Sequence, residues 1–87
     1  MTRPKFSDRV RTCRVGQPDG MSYIDGPGDA VLLLRSLLPQ DREKPHWQEA
    51  ECYLAQAIEY PENKTLLGFA ETTFRRALRA EGWLKEA

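Results

Sequence analysis

Proline spacing is the feature that most constrains how this chain folds. Each proline fixes one backbone dihedral and removes one hydrogen-bond donor, so it marks the border of a helix or strand. Pro27 and Pro45 suit the first position of a helix, where the missing N–H costs nothing. Pro39 and Pro61 follow apolar-periodic segments and are predicted to end helices. The chain must therefore be built from several short elements.

The segment over residues 10–24 predicts a β-hairpin. Residues 10–15 are rich in β-branched side chains, and residues 21–24 alternate between apolar and polar. Residues 16–20 join them through a Pro-Asp-Gly turn, in which proline fixes one φ angle and glycine frees another. A two-stranded hairpin alone is marginal in water, so a helix is expected to cover one of its faces.

Three amphipathic helices are predicted after the hairpin, over residues 27–38, 45–60 and 63–81. Residues 40–44 are predicted to be a charged loop. Asn63 suits the N-cap of the third helix, and Gly82 suits its left-handed stop. The first helix has the widest apolar arc, so it is predicted to be the central element of the core.

The predicted fold class is α+β, with an N-terminal two-stranded β-hairpin packed with three α-helices in the order ββααα. Residues 1–9 are predicted to form a flexible basic arm, because Phe6 is the only apolar anchor among four charged residues. Residues 10–87 are predicted to form a single small α+β domain, since a chain of 87 residues has no room for a second core.

Charge and hydropathy narrow the classes of partner. Thirteen basic and thirteen acidic residues cancel, so the global charge attracts neither nucleic acid nor anionic membrane. The longest apolar run, Ala30 to Leu34, is far shorter than the roughly 20 residues of a membrane span. The opening MTRPKFSDRVR lacks the apolar stretch of a signal peptide. We expect a cytoplasmic protein without a membrane partner, with Cys13 and Cys52 as free thiols.

No residue pattern in the sequence predicts catalysis, a metal site or a cofactor. His46 is the only histidine, and neither cysteine stands at metal-ligand spacing. The glycines around Pro27 lack the Lys and Ser/Thr of a phosphate-binding loop, and Asp29 would repel a phosphate. We therefore predict no catalytic, cofactor-binding or metal-binding residues. Residues far apart in sequence can still meet, so the question of an enzyme stays open, with a non-catalytic chain favoured.

The third helix provides the main candidate for a binding surface. Phe69 projects near Arg76 and away from the apolar stripe, and an aromatic residue beside arginines has the composition of an interface hot spot. The simpler interpretation is a solvated helix face on which Glu71 supports Arg75 at i,i+4. On the first helix, Leu32 lies off the main apolar arc. The candidate interface residues are Leu32, Phe69, Arg75, Arg76 and Arg79.

The apolar spacing also resembles a known family. The residues that carry the resemblance are Phe6, Val10, Ile24, Gly26-Pro27-Gly28-Asp29-Ala30, Leu33-Leu34, His46-Trp47, Ala50, Ala57-Ile58, Ala70, Phe74 and Ala77-Leu78. This pattern resembles the short bacterial proteins grouped as the domain of unknown function 982 family, over residues 6–84. The resemblance implies no activity and no catalytic residues.

Two functional hypotheses of different class follow from these residues. The first is a non-catalytic protein–protein interaction module, with an unknown protein as its partner or a second copy in a homodimer that meets through the first helix. The alternative is a nucleic-acid-associated regulator that uses the basic arm and the arginine face of the third helix. Nucleic acid is the less favoured partner, because no recognised binding motif is present and the net charge is zero. A small-ligand or enzyme domain would instead show a concave pocket with converging polar groups.

Overall fold

The structure is a computed structural model that describes residues 5–7, 9–13 and 21–84. Within that part of the chain the elements are β1 (Val10–Cys13), β2 (Met21–Ile24), α1 (Pro27–Arg35), α2 (Pro39–Arg42), α3 (Pro45–Glu59) and α4 (Lys64–Glu81). The two strands form one antiparallel hairpin, and the helices follow it in the chain. The predicted α+β fold is confirmed, with one helix more than the sequence indicated.

The hairpin is positioned by contacts on both sides of β1. On one side Val10 pairs with Ile24 and Cys13 pairs with Met21, which sets the register. On the other side Thr12 forms an isolated antiparallel bridge with Leu84, close to the end of the chain. Val10 and Ile24 are buried in the core, so the helices cover one face of the hairpin as expected. The predicted turn at 16–20 and the strand residues 14 and 15 lie outside the described residues.

Local capping chemistry explains where the helices begin. Pro27, Pro39 and Pro45 each occupy the start of a helix, and none of these three helices has a side-chain cap. A proline at this position lacks only an N–H that would have no partner in the helix, and its φ is already helical. α4 instead uses Asn63, whose side chain accepts a hydrogen bond of 3.1 Å from the backbone N–H of Leu66. The predicted N-cap of the third helix is confirmed.

Gly82 ends α4 in the left-handed conformation, with φ of 75°. The N–H of Gly82 donates to the carbonyl of Arg79, and the N–H of Trp83 donates to the carbonyl of Leu78 at 2.8 Å. These two bonds together form a Schellman motif, which satisfies carbonyls that the helix leaves open. The predicted stop residue is therefore confirmed, and the turn carries Trp83 back against the core.

The first helix is shorter than predicted, and the loop after it is partly helical. α1 ends at Arg35, and the hydroxyl of Ser36 donates a 2.6 Å hydrogen bond to the carbonyl of Leu33. Pro39 holds Leu38 in an extended conformation, with ψ of 148°, because α geometry before proline is sterically disfavoured. One helical turn, α2, then replaces part of the predicted loop at 40–44. Leu38, which the sequence placed on the apolar arc of the first helix, is consequently exposed.

The central element of the core is α3, and the prediction that the first helix is central was wrong. α3 packs against both α1 and α4. Its buried stripe runs the length of the helix, through Trp47, Ala50, Leu54 and Ala57. α1 has only nine residues, so a wide apolar arc on so short a helix buries less than a narrow stripe on a long one. The buried hydrophobic residues are Phe6, Val10, Ile24, Ala30, Leu34, Leu37, Trp47, Ala50, Leu54, Ala57, Ala70, Phe74, Ala77 and Leu78.

Phe6 extends the domain towards the N-terminus. Its side chain is only 6% exposed and stacks on Phe74, with ring centroids 6.1 Å apart. Its backbone N–H donates a 2.8 Å hydrogen bond to the carbonyl of Asp25. Ser7 next to it donates from both its N–H and its hydroxyl to Glu71 of α4. Residues 6 and 7, which the sequence placed in the flexible arm, therefore contact α4 and the residue that follows β2, and residues 1–4 lie outside the described part.

Candidate interaction surface

Phe69 lies on the surface where α3 and α4 meet. Its side chain is 51% exposed, although the ring packs against Tyr53 of α3 with centroids 5.7 Å apart. Two turns further along α4, a guanidinium nitrogen of Arg76 lies 3.6 Å from a carboxylate oxygen of Glu49, also on α3. We call the four residues Tyr53, Phe69, Glu49 and Arg76 the α3–α4 seam. It presents a fixed aromatic ring beside an exposed ion pair.

Arg75 and Arg76, two of the three predicted arginines, make ion pairs on different flanks of α4. Arg76 belongs to the seam, whereas Arg75 lies on the other flank of α4, with its Nε 3.5 Å from a carboxylate oxygen of Glu71. Glu71 also accepts the hydrogen bonds of Ser7, so this flank of α4 faces the N-terminal segment. Arg79 is exposed. Glu71 and Arg75 form the i,i+4 ion pair that the simpler interpretation of the sequence predicted.

Leu32 is far from the seam in the fold. It is 62% exposed and projects from the face of α1 opposite the buried Ala30 and Leu34. α1 packs on α3 along a groove of about 350 Å³ whose lining includes Val31, Arg42, Glu51 and Ile58. Those α3 residues and Tyr53 lie on opposite flanks of the helix, so Leu32 and Phe69 belong to two separate surfaces.

A cluster of charged groups that sequence reasoning missed joins the start of α3 to the end of α4. The Nζ of Lys44 and the Nε2 of His46 each lie 3.0 Å from the same carboxylate oxygen of Glu81. Asp41 of α2 lies 3.7 Å from the Nζ of Lys44. Glu81 stands at the negative end of the α4 dipole, an unfavourable place for a carboxylate, and the two cationic or donor groups offset that cost. The cluster thereby fastens the two long helices at one end.

The pKa values of the cluster reflect these contacts. Partial burial by itself would raise the pKa of Glu81, but the hydrogen bonds from Lys44 and His46 and the charge of Lys44 outweigh it and lower that pKa below its ordinary value. The hydrogen bond to Glu81 raises the pKa of Lys44 above its ordinary value. Both groups are therefore ionised and paired at neutral pH.

Glu81→Gln is expected to lower the free energy of unfolding by about 1 kcal/mol at pH 7. A carboxyl whose folded pKa is lowered stabilises the protein above its unfolded pKa, and that stability is lost as the pH falls through the folded value. The difference between wild type and variant should therefore shrink below about pH 4. Urea unfolding at pH 7 and at pH 3 measures it, with Glu62→Gln, an exposed change, as control. An equal difference at both pH values would contradict the role given to Glu81.

No metal cluster or membrane helix is found in the described part of the chain. Within residues 5–7, 9–13 and 21–84, no three His, Cys, Asp or Glu side chains come together as metal ligands would. None of the helices there has the length and apolar character that a membrane crossing requires. Cys52 is an exposed free thiol on α3, and the side chain of Cys13 lies outside what is described.

Comparison with known proteins gives no relative for this chain. No protein-family profile, no curated protein and no solved structure matches it. The resemblance to the domain of unknown function 982 family thus stays a prediction.

Proposed function

We propose that this chain is a small non-catalytic protein–protein interaction module that binds another protein through the α3–α4 seam. The observation that carries this proposal is Phe69, an aromatic side chain left half exposed on a domain that buries its other phenylalanines almost completely. Large exposed aromatic residues are costly in water and are enriched at the centres of protein interfaces.

The surroundings of Phe69 support binding in two ways. Contact with Tyr53 restricts the Phe69 ring before any partner arrives, so less side-chain entropy is lost on association. The pair of Arg76 and Glu49 stands beside the ring and is mostly exposed, as polar groups at the rim of an interface are. A rim of both signs favours a protein partner with mixed charge over a polyanion.

The nucleic-acid alternative has less support. Arg75 lies beside Glu71 and Arg76 lies beside Glu49, so two of the three arginines on this face already have a carboxylate within 4 Å. Phosphate binding would have to displace those carboxylates or leave them facing the polyanion. Binding of that kind would also weaken steeply with salt, which separates the two hypotheses.

Phe69→Ser is expected to weaken capture of a protein partner strongly while the domain stays folded. The experiment compares tagged wild type, Phe69→Ser and Tyr60→Ser in the native host, after nuclease treatment, with cross-linking and quantitative mass spectrometry. Tyr60 is a matched control, because it is an equally exposed aromatic residue at the end of α3, outside the seam. A specific partner should fall about tenfold or more with Phe69→Ser only, as for an interface hot spot.

Equal recovery of every protein with wild type and Phe69→Ser would contradict the proposal. Loss of all capture after nuclease treatment would favour the nucleic-acid hypothesis instead. Circular dichroism of each variant shows whether the fold is kept.

A further inference from the structure

The outward side of α1 carries exposed residues that do not belong to the α3–α4 seam. Five residues on this side of α1 and its C-cap are exposed: Gly28, Asp29, Leu32, Arg35 and Ser36. We call them the Leu32 face. Leu32 stands at its centre, and the opposite side of the helix is buried against α3 and the hairpin.

Two residues of opposite charge, Asp29 and Arg35, stand at equal distances before and after Leu32 on the Leu32 face. Asp29 and Arg35 are three residues before and after it, about 4.5 Å along the axis in each direction. At 100° per residue, Gly28 and Arg35 lie on one side of Leu32, and Asp29 and Ser36 lie on the other. The negative charge of Asp29 therefore lies towards the N-terminal end of α1 on one side of Leu32. The positive charge of Arg35 lies towards the C-terminal end on the other side.

We propose that a second copy of this chain docks on the Leu32 face, with the two α1 helices antiparallel about a twofold axis that passes between the two Leu32 side chains. In that arrangement Arg35 of each copy faces Gly28 of the other copy. It lies at the same height along the helix axis as Asp29 of that other copy. Nothing lies within 4 Å of the place where Gly28 would carry a Cβ. The guanidinium of Arg35 can cross that gap to the Asp29 carboxylate, and the symmetry makes this contact twice.

Charge complementarity is what selects a second copy as the occupant. A partner surface of one sign would attract either Asp29 or Arg35 and repel the other, whereas an antiparallel copy offers the opposite charge to both. Among the described residues neither Asp29 nor Arg35 has an ion-pair partner, and the nearby Glu51 pairs with Arg42 at 3.6 Å. The helix dipole favours the same two signs at the ends of α1, and an antiparallel copy would use both charges at once.

The face is small, so the dimer is weak. One face of a nine-residue helix covers less than the roughly 1,200 Å² of total area that stable interfaces bury. We expect a dissociation constant in the micromolar range or above, and a monomer–dimer equilibrium that follows concentration. The inference rests on the proposed function only in treating the chain as an interaction module, because the Leu32 face and the α3–α4 seam are separate surfaces.

A charge-exchange experiment tests the dimer. Asp29→Arg alone leaves only cations on the face, and Arg35→Asp alone leaves only anions, so each variant is expected to self-associate roughly tenfold more weakly than wild type. An equimolar mixture of the two variants regains both attractive pairs and should associate within a few-fold of wild type. Sedimentation equilibrium at protein concentrations up to about 1 mM measures the self-association of wild type and of each variant. With one variant labelled, it also measures the association of the two variants in the mixture.

Controls distinguish this inference from the proposed function. Phe69→Ser should sediment as wild type does, and the charge variants should still capture the partner of the seam. A wild-type chain that is monomeric at every concentration overturns the dimer. So does a mixture of the two charge variants that associates no better than either variant alone. Neither result affects the Phe69 experiment.

Discussion

Trp47→Ala should lower the free energy of unfolding by about 3–5 kcal/mol, the largest loss expected of any single change in this domain. Trp47 is fully buried on α3, the central helix, and its ring lies 6.4 Å from Phe74 and 5.8 Å from Trp83. Its removal therefore empties the place where α3, α4 and the C-terminal turn meet. Because a domain of this size holds on the order of 5 kcal/mol in total, the variant should be largely unfolded at 37 °C. Thermal and urea unfolding followed by circular dichroism measure the loss.

Trp47→Phe provides the matched control. Within the described part of the chain the indole Nε1 of Trp47 is buried without a hydrogen-bond partner, so its removal relieves an unpaired donor while most of the ring contacts stay. We expect this variant to lose less than half of what Trp47→Ala loses. If Trp47→Phe lowers the free energy of unfolding as much as Trp47→Ala does, the indole Nε1 contributes to stability and the expectation is wrong.

Phe6→Ala is the second large effect, at about 3 kcal/mol. Phe6 is almost completely buried, stacks on Phe74 and is held by its backbone hydrogen bond to Asp25. The loss opens a cavity between the hairpin and α4, which a surface arm would not do. Lys5→Ala, next to it but exposed, should change stability by less than about 0.5 kcal/mol.

The pair of variants also locates the N-terminal border of the domain. If Phe6→Ala and Lys5→Ala are equally harmless in urea unfolding, residues 1–9 behave as the flexible arm that composition predicts. A large effect at Phe6 alone places the border before residue 6. The measurement needs no partner or ligand.

The elements that sequence reasoning predicted well are those set by local chemistry. Asn63 and Gly82 cap α4 through atoms only a few residues away, so their roles could be read from neighbouring positions. The antiparallel hairpin also follows from local alternation and a strong turn signal. In each case the interaction that fixes the backbone lies within about one helical turn or one strand.

The features that sequence reasoning missed depend on residues that meet only in the fold. Glu81 lies 37 positions from Lys44, so nothing in either local sequence indicates their hydrogen bond. Phe6 was assigned to an arm because its neighbours are charged, yet its position opposite Phe74 is set by the hairpin and α4. The candidate interface was assembled from Leu32 and the face of α4, and only the packing of α3 between them separates it into two surfaces.

The bridge between Thr12 and Leu84 is expected to be one of the last contacts to form. These residues are 72 positions apart, so their pairing closes a loop that contains β2 and the four helices. The entropy lost in closing so long a loop is repaid only once the helices inside it have packed and shortened the distance between its ends. Until Leu84 packs beside Thr12, β1 has one edge unpaired, and an unpaired strand edge is prone to aggregation.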